Sequence, residues 1–180
     1  MADGVVFRHT VEAFISRVIL RRGLLSLEFD RELKALGLDV SRPVEVSVST
    51  WIAVLRACAK RLNPTGTEAE GLELVGREML RGYLDGLVGK SLFLLLRMVG
   101  TRRALLRMME SYRTADNVTT IKATERGPQC VDLEFNSAFG IPSYVCGVLL
   151  EAMPMVGARD PRVEFRLEPS GATVFTATWS

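Results

Sequence analysis

Histidine is nearly absent from this chain: there is one in 180 residues. His9 stands alone, so no histidine pair can chelate a metal. A Ser-His-Asp or Cys-His triad would have to be built on this one residue beside a chain end. Cysteine is scarce as well. Cys58, Cys130 and Cys146 are widely spaced and form no Cys-x-x-Cys pair, which signals neither a zinc site nor a redox couple. An odd number of thiols and no sign of a secretory signal fit the expectation of reduced cysteines in a cytoplasm. Long apolar runs are missing too. The longest, Leu92 to Leu96, falls far short of the roughly 18 residues of a membrane span. There is no Gly-x-Gly-x-x-Gly. Gly89-Lys90-Ser91 has only the last triplet of a phosphate loop, with Leu84 where the opening glycine belongs. Nor is one sign of charge in excess: 23 basic residues face 21 acidic ones, for a net charge of +2. That balance is too even to imply nucleic acid or an anionic membrane as an obligate partner, and neither is expected.

What is present is an ordinary globular composition, 48% hydrophobic and 24% charged. The length fits one domain spanning residues 1–180. Its first part, to about residue 110, carries helical patterns. Val11, Phe14, Ile15, Val18 and Ile19 recur at helical spacing after Thr10, a candidate cap, and Arg21-Arg22-Gly23 closes that helix. Leu27 to Leu36 forms a second helix. A third, capped by Ser47 or Ser49, carries the stripe Trp51, Ile52, Val54, Leu55 and Cys58. Thr67 and Glu70 form a capping box for a fourth, which Gly71, Gly76, Gly82, Gly86 and Gly89 punctuate. Glu78 and Asp85 on this helix are expected to be solvated. Ser91 to Met98 reads as a central apolar helix, and Thr101 caps a last amphipathic one through Met109.

From residue 111 the period changes to two. Asn117 to Thr124 is rich in β-branched residues, Gly127-Pro128 turns the chain, and Val131, Leu133 and Phe135 alternate on the returning strand. Ser143 is a candidate cap for a helix from Tyr144 to Met155. Arg162 to Leu167 alternates charged residues with Val163, Phe165 and Leu167, the pattern of a half-buried strand. Pro169-Ser170-Gly171 turns into a partner strand, Ala172 to Trp179. The fold class is therefore α+β: an N-terminal helical bundle followed by a small antiparallel sheet in the order β-β-α-β-β.

No residue is identified as catalytic and no metal ligands are identified. The glycine face Gly82-x-x-x-Gly86 lets another element approach closely. That element is a neighbouring helix of the same chain, a ligand, or a symmetry mate. With Phe135, Ser137, Phe139 and Tyr144 from the sheet-bearing half, Gly82 and Gly86 outline a candidate apolar pocket. Arg103 and Arg107 precede the Ser137-x-x-Gly140 turn by about thirty residues. This resembles the phosphate grip of PilZ-type cyclic-dinucleotide receptors, whereas as a helix face, with Arg102, the same arginines are simply solvated. Cys146 lies near a helix start but is flanked by Val145, Val148 and Leu149, which favours a buried, inert thiol.

Five segments carry a full-length resemblance: Gly4-Val-Val-Phe7, Leu36-Gly-Leu-Asp39, Gly82-Tyr-Leu-Asp-Gly-Leu-Val-Gly89, Tyr112-Arg-Thr-Ala-Asp-Asn117 and Ala177-Thr-Trp179. On these the chain resembles a family of unknown function found mainly in myxobacteria. The order of helices, hairpin, helix and hairpin is also similar to that of the haem–nitric-oxide-binding, vinyl-reductase and transport-particle (TRAPP) superfamily. In its haem branch a strand ends in Tyr-x-Ser-x-Arg. Here the same place reads Phe135-x-Ser137-x-Phe139-Gly140, and no upstream helix carries a histidine for the iron. The resemblance therefore implies the fold without haem or any other cofactor. It leaves an apolar small molecule in the core, or a homodimer formed through the helical face. The expected function is a cytoplasmic, non-enzymatic sensory or adaptor module. Its alternative is a protein-interaction module whose core is filled by its own side chains, and behind these stand a cyclic-dinucleotide receptor or a cryptic enzyme.

Overall fold

The computed structural model describes residues 4–84, 98–112 and 115–180. Strand β1 (Val5–Val6) leads into helix α1 (Arg8–Phe14), which runs on as a π-helix (Ile15–Leu20). Helices α2 (Leu27–Ala35), α3 (Val48–Leu62), α4 (Glu68–Leu84) and α5 (Thr101–Tyr112) follow, with the short β2 (Val46–Ser47) before α3. The second part comprises β3 (Ile121–Gly127), β4 (Cys130–Phe135), α6 (Pro142–Met155), β5 (Arg162–Leu167) and β6 (Thr173–Thr178). The α+β class and the β-β-α-β-β order thus hold. The expected apolar helix at Ser91–Met98 falls mostly outside the described residues.

Local chemistry accounts for most helix starts. The Ser26 hydroxyl accepts from the Phe29 amide, and that of Ser47 accepts from Thr50. The capping box is reciprocal: Thr67 N donates to Glu70 Oε2 at 2.8 Å, and Glu70 N donates to Thr67 Oγ1 at 3.2 Å. Three expected caps are not used. α5 begins at Thr101 itself, whose hydroxyl donates to the Val156 carbonyl at 3.1 Å. α1 begins before Thr10, whose hydroxyl donates instead to the Ala115 carbonyl at 3.1 Å and ties the helix to the chain leading into the sheet. α6 begins at Pro142, not after Ser143, because the proline's fixed φ and missing N–H suit the first helical position.

The sheet order is β3-β4-β6-β5, antiparallel throughout. Val131, Leu133 and Phe135 face the core with Phe175 and Ala177, all essentially buried. The helical part shares this core. Phe14 meets Trp51 edge-on at 4.9 Å between centroids, and Phe29, Leu33, Val54 and Leu55 are sealed from water. β1 joins the two parts. It pairs with β2, while Phe7 N donates to Ala115 O and Asn117 N to Val5 O. The expected half-burial of β5 is only partly met. Val163 is half-buried, but Phe165 and Leu167 are exposed on β5, which stands at the edge of the described sheet.

Candidate functional site

Of the six residues expected to line a pocket, Phe135, Ser137, Phe139 and Tyr144 lie along the β4–α6 connection. Phe135 ends β4 with its ring edge-on to Phe175, 5.1 Å between centroids. Asn136 clamps the chain before β3 with both ends of its amide: Oδ1 accepts from Thr120 N and Nδ2 donates to Val118 O. The Ser137 hydroxyl accepts from the Phe139 amide at 3.0 Å, so the turn uses it locally. Phe139 holds a left-handed φ of 51° and is half-buried against the core. A bulky residue there is strained, and such strain concentrates at functional places. Tyr144 lies in the first turn of α6, with its phenol pKa pushed upward by burial.

Phe135 and the core residues around it are closely packed. Phe135 is 1% exposed, and Leu133, Leu149 and Phe175 are fully covered. Atoms so covered do not line a water-sized space. Helices α4 and α6 cross with backbones in contact. A Cβ on Gly76 would overlap the Tyr144 carbonyl oxygen, and one on Gly147 would overlap that of Glu73. These two glycines were not singled out by spacing, and only their partner across the crossing reveals their role. Gly82, by contrast, abuts Arg17 of the π-helix, where a Cβ would overlap the Arg17 side chain. An intrachain contact therefore accounts for Gly82. Gly86 lies outside the described residues.

Charge is concentrated beside this crossing. Glu78, expected to be solvated, is 1% exposed. Arg21 Nη1 donates to its Oε2 and Arg81 Nη1 to its Oε1, both at 2.9 Å, and Arg22 Nε lies 3.5 Å away. Arg81 also reaches Glu151 of α6 at 2.8 Å, and Arg77 pairs with Glu73 at 2.9 Å. The arginines that close the first helix thus tie the π-helix to α4, and α4 in turn to α6. The helical period placed Glu78 on α4 but did not reveal that cations cover it.

Other candidates fall elsewhere. His9 is exposed on α1, its ring stacked on Phe7 at 6.0 Å. Arg103 is exposed on α5 and its neighbour Arg102 pairs with Glu125, while the Arg107 side chain lies outside the described residues. Cys146 is buried and its thiol is pushed up to about 11, by burial first and by the Glu73 charge second. Among the described residues no group of His, Cys, Asp and Glu could hold a metal, and no helix is long and apolar enough to cross a membrane.

The chain matches the family described as "Protein of unknown function (DUF2378)" over residues 4–180. No curated protein matches it. Among solved structures it is similar to an oxygen-binding H-NOX domain related to soluble guanylate cyclases. The identity is 14%, the coverage 96% of this chain and 94% of that one, and the TM-score 0.67. It is similar to a mutant H-NOX of T. tengcongensis at 17% identity, covering 96% and 97% of the two chains, with a TM-score of 0.67. It is also similar to an unliganded Fe(II) H-NOX of K. algicida at 11% identity, covering 97% and 96%, with a TM-score of 0.60. At such identities the likeness establishes the fold.

Proposed function

Because the chain belongs to the DUF2378 family of unknown function and has the H-NOX fold, we propose that it is a non-enzymatic, haem-independent signalling adaptor that acts through protein contacts, as a homodimer, in the cytoplasm. One observation carries this reading: along the full length of an H-NOX fold, the chain's only histidine is exposed on α1 and stacked on Phe7. Histidine-ligated haem does not fit. No interior histidine exists, Ser137 is engaged by its own turn, and Phe139 stands where the haem-branch motif carries arginine. The close packing of Phe135, Phe175, Gly76 and Gly147 supports a core filled by the chain's own side chains. Three free cysteines support a reducing compartment.

A second reading keeps the fold as a sensor of an apolar or amphipathic small molecule. The strained, half-buried Phe139 favours it, since rotation of that ring outward would open the β4–α6 turn beside Tyr144. Native mass spectrometry of freshly purified protein, with and without added hemin, tests both. The adaptor reading expects a dimer of ligand-free chains, with no added mass, and no Soret band. A stoichiometric small-molecule adduct lost on Phe139→Asp would favour the sensor. A stoichiometric Soret band would overturn the haem-independent reading.

A further inference from the structure

Strand β5 is an open edge. Among the described residues the sheet ends at β5, which pairs only with β6. Glu168 N donates to Ala172 O at 2.8 Å, which places Glu168 in a hydrogen-bonded pair with β6. Such pairs alternate along an antiparallel ladder. Arg162, Glu164 and Arg166 therefore direct their backbone groups toward β6, and Val163, Phe165 and Leu167 direct theirs outward. The side chains of those outward residues share the core face of the sheet, yet Phe165 is 44% and Leu167 70% exposed. An edge with free backbone groups and uncovered large apolar side chains is a template for another strand.

The sequence of this edge is complementary to itself. We infer that β5 pairs antiparallel with β5 of a second copy, about a two-fold axis at Phe165, making one continuous sheet across the dimer. In that register Phe165 faces Phe165 of the other copy, and Val163 faces Leu167. Glu164 faces Arg166, and Arg162 faces Glu168. Every apolar pair lies on one face and every opposite-charge pair on the other. The outward backbone groups of Val163, Phe165 and Leu167 fall in the hydrogen-bonded positions. A slip of two residues either way sets like charges opposite, Glu164 against Glu164 or Arg166 against Arg166, which is destabilising. The charge pattern thus selects the register as well as the partner. Neither Arg162 nor Glu164 makes an ion pair among the described residues, while Arg166 already meets Glu168 at 2.9 Å. The inference rests on the homodimer in the proposed function and on no ligand.

Sedimentation of the full chain at micromolar concentration tests it. The wild type is expected at about twice the chain mass of 19.9 kDa. Glu164→Arg, a change at an exposed side chain, is expected to raise the dimer dissociation constant roughly tenfold or more, because both symmetry-related pairs become repulsive. The swap Glu164→Arg with Arg166→Glu is expected to restore it, and thermal melting of each variant reports that the monomer fold is kept. A dimer that resists Glu164→Arg, or a swap that fails to rescue, would overturn the β5 interface while leaving a homodimer standing. A wild type that sediments as a monomer would overturn both.

Discussion

Gly76 of α4 and Tyr144 of α6 meet with no side chain between them. A Cβ on Gly76 would overlap the Tyr144 carbonyl oxygen and would lie 2.9 Å from the Val148 amide nitrogen. Gly147 makes the reciprocal approach to the Glu73 carbonyl. Two glycines, each weakening its own helix by up to about 1 kcal/mol against alanine, thereby let the helices pack backbone to backbone. The α4–α6 crossing is consequently rigid backbone, which cannot yield to an added atom as a side chain could.

Gly76→Ala is expected to lower stability by about 1–3 kcal/mol, since the helices must separate and overpacking outweighs the gain in helix propensity. Gly147→Ala should act in the same direction, and the double variant should lose less than the sum because both relieve one crossing. Urea unfolding measures all three. A rise in stability for Gly76→Ala would contradict the crossing.

Glu78→Gln is expected to destabilise by about 2 kcal/mol. It removes the one buried charge among Arg21, Arg22 and Arg81. The loss falls below that of a fully buried pair because the arginines are partly solvated and relax into water. It should vary little with salt, since Glu78 itself is sealed. A variant as stable as the wild type would return Glu78 to the solvated role that its helical spacing alone suggested.

Much of the fold was legible because it rests on local chemistry. The Thr67–Glu70 box, the Ser47 cap and the alternation of Val131, Leu133 and Phe135 are short-range signals, and each is met. What was not legible depends on distant partners. Thr10 was free to cap α1 but is drawn to Ala115, 105 residues away. β1 and β2 are two residues each and exist through each other and the chain at Asp116. The site shows the same division. Phe135, Ser137 and Phe139 were proposed from their own segment, whereas Gly76 and Glu78 acquire their roles from α6 and from the arginines near the π-helix.

Thiol labelling reports the packing of both halves. Burial, with Glu32 nearby, pushes the Cys58 thiol up to about 12, and Cys146 stands at about 11. Neither is a useful thiolate at neutral pH, and both are shielded. A disulfide reagent at pH 8 is expected to modify Cys130 alone in the native protein, and all three in denaturant. Fast native labelling of Cys146 would show that α6 does not lie against α4 as described.

Asp132 gives the protein an acid-sensitive element on the outer face of its sheet. Burial pushes its carboxyl pKa upward. Hydrogen bonds from the Thr176 hydroxyl at 2.7 Å and from Arg126 Nε at 2.9 Å, with the charges of Arg126 and Arg166, outweigh that and hold it below the ordinary carboxylate value. A carboxylate depressed in the folded state contributes stability above its unfolded pKa, near 3.9, and loses it as pH falls through the folded value. Because Arg126 and Arg166 are more than half exposed, the contribution is about 1 kcal/mol at neutral pH. Asp132→Asn is therefore expected to be less stable than the wild type by that amount at neutral pH. The gap should stay constant down to about pH 5, narrow as pH falls below about 4, and vanish only below the folded value, where both proteins carry a neutral side chain. Urea unfolding across this range measures it. A gap that persists unchanged in acid would assign the role of Asp132 to shape and hydrogen bonding, with no share for its charge.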